Sequence, residues 1–252
     1  MKTLKEIVTS TSDIDESLLD DFGSQAEDIK KKRIEEWLEK NNREKSAYTI
    51  NDDYTIDIGK FDYKGSGNFP DFIQFRRCRV DFDISASRMT SLRGCPEIVA
   101  NDFYCHENNL KNLVGGPKRI GGNYVAFNCN LTSLEGSPAN ITGNFDISIN
   151  HIKSLKGGPK RIGGDFRASE NELKDLVGGP IDVLGIYDVS SNDLKSLKGC
   201  PEVIHCGFYI NYNDLKDLDY PPESIIGYVY YDKRIPRAAW NQVRGNFLLV
   251  EF

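Results

Sequence analysis

Residues of like character return every 21 positions along most of this chain. From Met89 the interval leads to Leu110, Leu131, Ile152, Leu173, Leu194 and Leu215, and from Leu92 to Leu113, Leu134, Leu155, Leu176, Leu197 and Leu218. Proline keeps a third register at positions 96, 117, 138, 159, 180, 201 and 222, which takes seven of the chain's ten prolines. Glycine stands two residues ahead of six of them: Gly94, Gly115, Gly136, Gly157, Gly178 and Gly199. A unit this short cannot bury its apolar side alone. An exact period without insertions therefore predicts identical coils stacked into a solenoid, each stabilised by its neighbours.

The remaining registers give the shape of one coil. An aromatic residue recurs at Phe103, Tyr124, Phe145, Phe166, Tyr187 and Phe208, and two positions later an apolar one at Cys105, Ala126, Ile147, Ala168, Val189 and Ile210. This aromatic-x-apolar pair reads as a short strand whose side chains alternate between core and solvent. Stacked copies make a parallel sheet rising roughly 4.8 Å per coil. Asn108, Cys129, Asn150, Asn171, Asn192 and Asn213 come next. An asparagine amide carries both donors and an acceptor, so this register predicts a side-chain ladder that satisfies backbone groups where the chain turns. The Gly-x-Pro return leaves no room for a helix.

The unit, aromatic-x-apolar-x-x-Asn/Cys-x-Leu-x-x-Leu, resembles the leucine-rich-repeat signature L-x-x-L-x-L-x-x-N/C-x-L, down to the exchange of asparagine for cysteine at Cys129. The resemblance covers about residues 68–231. Short proline-containing repeats of this kind are similar to those of bacterial effector proteins and of leucine-rich proteins encoded by bacteriophages. One departure is consistent along the array. The place of the first consensus leucine is held by Ala100, Gly121, Thr142, Gly163, Leu184, His205 and Ile226, and the apolar anchor sits one residue earlier, at Val99, Ile120, Ile141, Ile162, Val183, Ile204 and Ile225. The resemblance implies a β-rich solenoid with a parallel sheet on one face and an irregular convex side. It also implies protein binding through the strand face. Some effectors with similar repeats carry a large ubiquitin-ligase domain; residues 232–252 contain no cysteine, so that enzyme is not expected here.

An open stack needs caps. Residues 1–45 are expected to form a helical segment, 46–67 a β-hairpin cap, 68–231 one degenerate and seven clear coils, and 232–252 a C-terminal cap. Ser24-Gln25-Ala26-Glu27 has the pattern of a capping box that opens a helix, with Ala26, Ile29, Ile34, Trp37 and Leu38 near one face; Asp13, Asp15 and Glu16 precede a shorter one. Tyr48 to Ile58 alternates across a turn as a hairpin does. Residues 68–88 read as the degenerate coil, with Ser87 in the ladder register. Pro236 to Val243 reads as a short helix burying Trp240, and Phe247 to Val250 as the strand that closes the stack.

The chemistry-bearing residues point away from catalysis. The chain has three histidines and six cysteines. Cys200 shares a register with Cys95, Gly116 and Ser137, and Cys206 with Gly122, Gly143 and Gly164, so small-residue packing accounts for both better than a metal site with His205. Cys105 falls in the core and Cys129 in the ladder. The Gly-Gly pairs lack the Lys-Ser/Thr of a phosphate loop. No catalytic residue, metal or cofactor is expected. The start, Met1-Lys2-Thr3-Leu4-Lys5-Glu6, lacks the apolar stretch of a secretory signal, so reduced thiols in a bacterial host's cytosol are expected.

The outward strand positions are the expected recognition surface. Tyr104, His106, Phe127, Ile149, Arg167, Tyr209 and Tyr212 are the candidate partner contacts. Tyr104, Phe127 and Ile149 belong to successive coils and are expected to form an apolar strip about 10 Å long. Asp81, Asp102, Asn123, Asn144 and Asp165, just ahead of the strands, are expected to extend that face. Lys111, Lys153, Lys174, Lys195 and Lys216 share an opposite edge, and Lys118-Arg119 and Lys160-Arg161 recur on the loops. A solvated, solubilising stripe is the expected role of these lysines, with phosphate binding the alternative; the net charge of -6 weighs against non-specific nucleic-acid binding. The expected partner is therefore a protein. A structural place in a virion or surface assembly, or nucleic-acid binding through the lysine stripe, are the alternatives. Oligomeric state is open.

Overall fold

The computed structural model describes residues 16–252, with side chains from Gln25 onward. It is a β-solenoid of about nine turns. Helix α1 (Glu16–Asn41) covers its first coil. A hairpin of β1 (Tyr48–Ile50) and β2 (Ile56–Ile58) follows. The main sheet is built from very short parallel strands: β3 (Phe61–Asp62), β5 (Phe82–Asp83), β7 (Phe103–Tyr104), β9 (Tyr124–Val125), β11 (Phe145–Asp146), β13 (Phe166–Arg167), β15 (Ile186–Asp188) and β17 (Gly207–Tyr209). The long β18 (Ser224–Tyr231) then pairs with β19 (Arg244–Glu251). Between them a 3-10 helix (Arg237–Gln242) buries Trp240.

Each inward aromatic sits over the one a coil away. Ring centroids are 4.8 Å apart for Phe61–Phe82, 6.0 Å for Phe82–Phe103, 5.0 Å for Phe103–Tyr124 and 5.6 Å for Tyr124–Phe145. The row continues through Phe166 and Tyr187 to Phe208. The two leucine registers are fully buried beside it. The solenoid core is therefore one unbroken aromatic and leucine stack, and removing a ring from any coil exposes both neighbours.

Three features differ from the sequence reading. First, the sheet begins a coil earlier: Phe61 pairs with Phe82 and lies 21 residues before it, so part of the expected cap is already solenoid. Second, the side opposite the main sheet carries a second row of short parallel strands, made by the displaced apolar anchors. It runs from β2 through β4 (Phe75–Cys78) and β6 (Ile98–Val99) to β8 (Arg119–Ile120). After a break it resumes at β10 (Asn140–Ile141), β12 (Arg161–Ile162) and β14 (Asp182–Val183), while β16 (Val203–Ile204) pairs with β18. Only the Leu-to-anchor return is irregular. Third, α1 already runs through Ser24, so no capping box opens there. One internal glycine costs a helix about 1 kcal/mol, too little on its own to break a helix of 26 residues. Asp13 and Asp15 lie outside the described residues.

The cap itself is narrower than expected. Ile34 and Leu38 are buried and Trp37 packs on Phe61, Tyr63 and Phe69, while Ile29 is 68% exposed. Only the last turns of α1 cover the coil.

Candidate protein interface on the strand face

The ladder residues lie inside the turn after each strand. The Asn150 Oδ1 accepts from the Cys129 N–H at 2.9 Å and the Leu131 N–H at 2.8 Å, and its Nδ2 donates to the Ala126 and Ile147 carbonyls at 3.0 Å. Asn108, Asn171, Asn192 and Asn213 repeat the pattern, each bonding the preceding coil and its own. Cys129 occupies the slot differently: its thiol donates to the Cys105 carbonyl at 3.0 Å but no amide oxygen is there to accept. At the C-terminal end the Asp232 carboxylate accepts the Asn213 N–H and closes the row.

A turn this tight sets the residue just before each ladder position. Ala86, Glu107, Asn128, Ile149, Glu170, Ser191 and Tyr212 all have φ between 50° and 57°. This left-handed region suits Asn and is unfavourable for a β-branched side chain. Ile149 nonetheless occupies it, 46% exposed. Ile149→Asn, which copies Asn128 one coil earlier, is expected to stabilise the fold by about 1 kcal/mol. Chemical denaturation checks this, and a lower midpoint in the variant would count against strain at Ile149.

A second ladder was missed by sequence reading. Asp102 Oδ1 accepts the Asn123 N–H at 2.7 Å, Asn123 Oδ1 the Asn144 N–H at 2.8 Å, Asn144 Oδ1 the Asp165 N–H at 2.7 Å, and Asp165 Oδ1 the Ile186 N–H at 2.8 Å. These pre-strand residues were expected to extend the recognition face; their inner oxygens instead tie one coil to the next. The signal was the glycine that shares their period. A Cβ on Gly122, Gly143, Gly164 or Gly185 would strike the ladder oxygen of the previous coil. Cys206 is admitted in that register because Ile186, in the coil before, carries no such oxygen.

The outward residues stack in columns set by the sheet register: Asp83, Tyr104, Val125, Asp146, Arg167, Asp188, Tyr209 and Tyr230. Tyr104, His106 and Phe127 come together. The His106 imidazole lies flat on Phe127, centroids 4.5 Å apart and 8° from parallel, and Tyr104 meets it edge-on at 6.3 Å. Among the described residues His106 Nδ1 is covered and has no hydrogen-bond partner, with the Glu107 carboxylate 3.8 Å away. The Tyr104 hydroxyl donates to Asp102 Oδ2 at 2.7 Å, and this bond pushes its pKa up to about 12. The three rings are thus held in place by contacts within the face.

Ile149 stands one coil further, at its strained turn. Arg167 is tied to Asp165 at 2.6 Å, so its charge is answered within the face. Tyr209 stacks on Tyr230 at 4.3 Å, and Tyr212, 59% exposed, meets Phe252 at 6.0 Å. Tyr230 and Phe252 therefore join the second aromatic site, and Phe252 lies beyond the clear repeats.

Some lysines of the opposite edge and its loops are held in place by contacts within the fold. Lys118 Nζ donates to the Gly136 carbonyl at 3.0 Å and Lys160 Nζ to that of Gly178 at 2.8 Å, which fastens return loops of adjoining coils. Lys153 pairs with Glu172 at 3.3 Å. All six cysteines are free thiols. Burial pushes Cys78 up to about 11 and Cys200 up to about 12, so neither is a ready nucleophile. Among the described residues no His, Cys, Asp or Glu cluster is placed to hold a metal, and no helix is long and apolar enough to cross a membrane.

No family model, curated protein or solved structure matches this chain.

Proposed function

We propose that this solenoid is a protein-binding module of the leucine-rich-repeat type, similar to those of phages and bacterial effectors, that holds a partner protein against its strand face without catalysing a reaction. The carrying observation is the braced Tyr104–His106–Phe127 stack. Pre-ordered aromatic rings lose little freedom on binding and are the usual anchors of an interface. Asp83, Glu107, Asp146 and Glu170 surround them, so the partner surface is expected to be apolar at its centre and basic at its rim. Exposed Ile149 at a strained turn supports the same reading, because strain is retained where a side chain serves contact rather than folding.

The test compares affinity capture from a bacterial lysate by the wild-type protein and by Phe127→Asp. Proteins retained by the first and lost by the second are then titrated individually. Phe127→Asp is expected to weaken a true partner by at least about 2 kcal/mol, with the circular-dichroism spectrum unchanged because the ring faces outward. A triple Lys153, Lys174 and Lys195→Glu variant is expected to bind normally. Loss of binding in the lysine variant and full binding in Phe127→Asp would move the interface to the other edge and revive nucleic-acid recognition, which a steep salt dependence would then identify.

A further inference from the structure

The last strand of the sheet is long, apolar and unpaired on one side. β19 spans eight residues, where most strands of the array span two or three, and among the described residues no strand lies beyond it. Its inner edge is set by the Arg244 N–H donating to the Glu223 carbonyl, the Phe252 N–H to that of Tyr231, and the Phe252 carbonyl accepting from Lys233. Residues alternate along a strand, so 244, 246, 248, 250 and 252 direct their backbone groups towards β18. Gly245, Phe247, Leu249 and Glu251 direct theirs outward. That leaves four N–H and four C=O groups on the open side, those of Phe247, Leu249 and Glu251 in continuous strand and those of Gly245 at a φ of +113°. The segment Arg-Gly-Asn-Phe-Leu-Leu-Val-Glu has no lysine, proline or bulge to blunt such an edge. On its strand face, Leu248 is 62% exposed and Phe252 50%. Leu248 lies beside exposed Tyr228, so the apolar surface runs on to β18.

We propose that this edge pairs with the same edge of a second copy of the chain, antiparallel, about a twofold axis at Leu248. The register follows from the alternation. Outward-directed residues must face each other, so Gly245 meets Glu251 of the other copy and Phe247 meets Leu249, each pair exchanging two hydrogen bonds. Leu248 then faces Leu248 across the axis, and Asn246 faces Val250. The two contacts nearest the axis, Leu248 with Leu248 and Phe247 with Leu249, are apolar against apolar. A twofold contact uses one surface on both copies and closes on itself, so the assembly stops at two. The two solenoids then share one continuous sheet, with a strand face on each.

Sedimentation of the full chain between about 1 and 100 µM tests the proposal, since such contacts have affinities in this range when modest in area. The wild type is expected at twice the chain mass of 28.5 kDa at the upper concentrations. Leu248→Lys and Leu248→Glu each place like charges on the axis and are expected at 28.5 kDa, with unchanged circular dichroism because the side chain is exposed. Mixing the two variants is expected to restore the doubled mass. Register is read by cysteine cross-linking with Cys206 replaced by serine. Facing residues of a pair that exchanges no hydrogen bonds have Cα atoms about 4.5 Å apart, within disulfide reach. Leu248→Cys is expected to cross-link under mild oxidation, and Asn246→Cys is not. A wild type that stays at the single-chain mass, assemblies larger than two, or a dimer indifferent to Leu248→Lys would each overturn the proposal.

Discussion

Asn150→Ala is expected to destabilise the protein by about 3 kcal/mol or more, near the upper limit for a single substitution that removes no apolar core volume. The side chain satisfies two N–H groups of the preceding coil, at Cys129 and Leu131, and donates to the Ala126 and Ile147 carbonyls. Alanine leaves these groups buried, and the space vacated lies inside a turn that water cannot enter without opening the coil. Each stranded buried group costs about 1–3 kcal/mol, and relaxation recovers part of that. A matched control is exposed Asn101→Ala, whose side chain makes no hydrogen bond among the described residues. Asn128→Ala is not neutral in the same sense, because φ at Asn128 is 52° and alanine tolerates that region less well. Chemical denaturation of the three variants checks the result; equal midpoints for Asn150→Ala and Asn101→Ala would dismiss the ladder as a source of stability.

Gly136→Ala is expected to cost about 3 kcal/mol as well, by an unrelated route. Its φ is +95°, outside what a residue with a Cβ adopts comfortably. The added methyl would also collide with the Leu113 carbonyl carbon and the Val114 nitrogen of the preceding coil. Left-handed strain contributes about 1–2 kcal/mol, and overpacking against backbone contributes 1–3 kcal/mol more, of order the same size. Gly157→Ala makes the comparison informative. It has a similar φ of +86°, but its nearest contact, the Glu135 nitrogen, is 3.4 Å from the would-be Cβ. It therefore bears the strain without the collision and is expected to lose roughly half as much. Thermal melts of both variants check this; equal losses would mean that conformational strain alone sets the requirement for glycine.

Much of the fold was legible because the same physical demand recurs at fixed intervals. The inward aromatic, the ladder amide and the Gly-x-Pro return each answer a constraint that neighbouring coils impose identically, so their registers agree without insertion. What escaped notice was either outside the clean period or serving two purposes. Phe61 pairs as a coil residue, yet Pro70, Phe72 and Phe75 interrupt the loop pattern behind it and hide the register. Asp102, Asn123, Asn144 and Asp165 look like solvent-facing polar residues, and only the glycine one coil on shows that an oxygen points back into the chain. Ser24 has a helix-opening pattern, but that local pattern does not outweigh the helix of 26 residues that runs through it. For the candidate interface, periodicity located the outward positions and could not tell which side chains touch. That depends on ring orientation, which placed His106 against Phe127 and left Arg167 folded on Asp165.

The coil that carries Phe127 is tied to its neighbours less completely than the others. On one side, Cys129 supplies no amide oxygen for the ladder. On the other, the second row of strands breaks between Arg119–Ile120 and Asn140–Ile141. The main sheet and the aromatic stack pass through without interruption. The second row breaks again between Asp182–Val183 and Val203–Ile204, but the asparagine ladder is complete there, so among the described coils the one with Phe127 lacks both ties and is the joint of least resistance between the two halves of the array. Tyr104, His106 and Phe127 sit over that joint. A partner laid across Tyr104, Phe127 and Ile149 would bear on both halves at once and act as a splint. Its grip would adjust to the partner's curvature as much as to its chemistry.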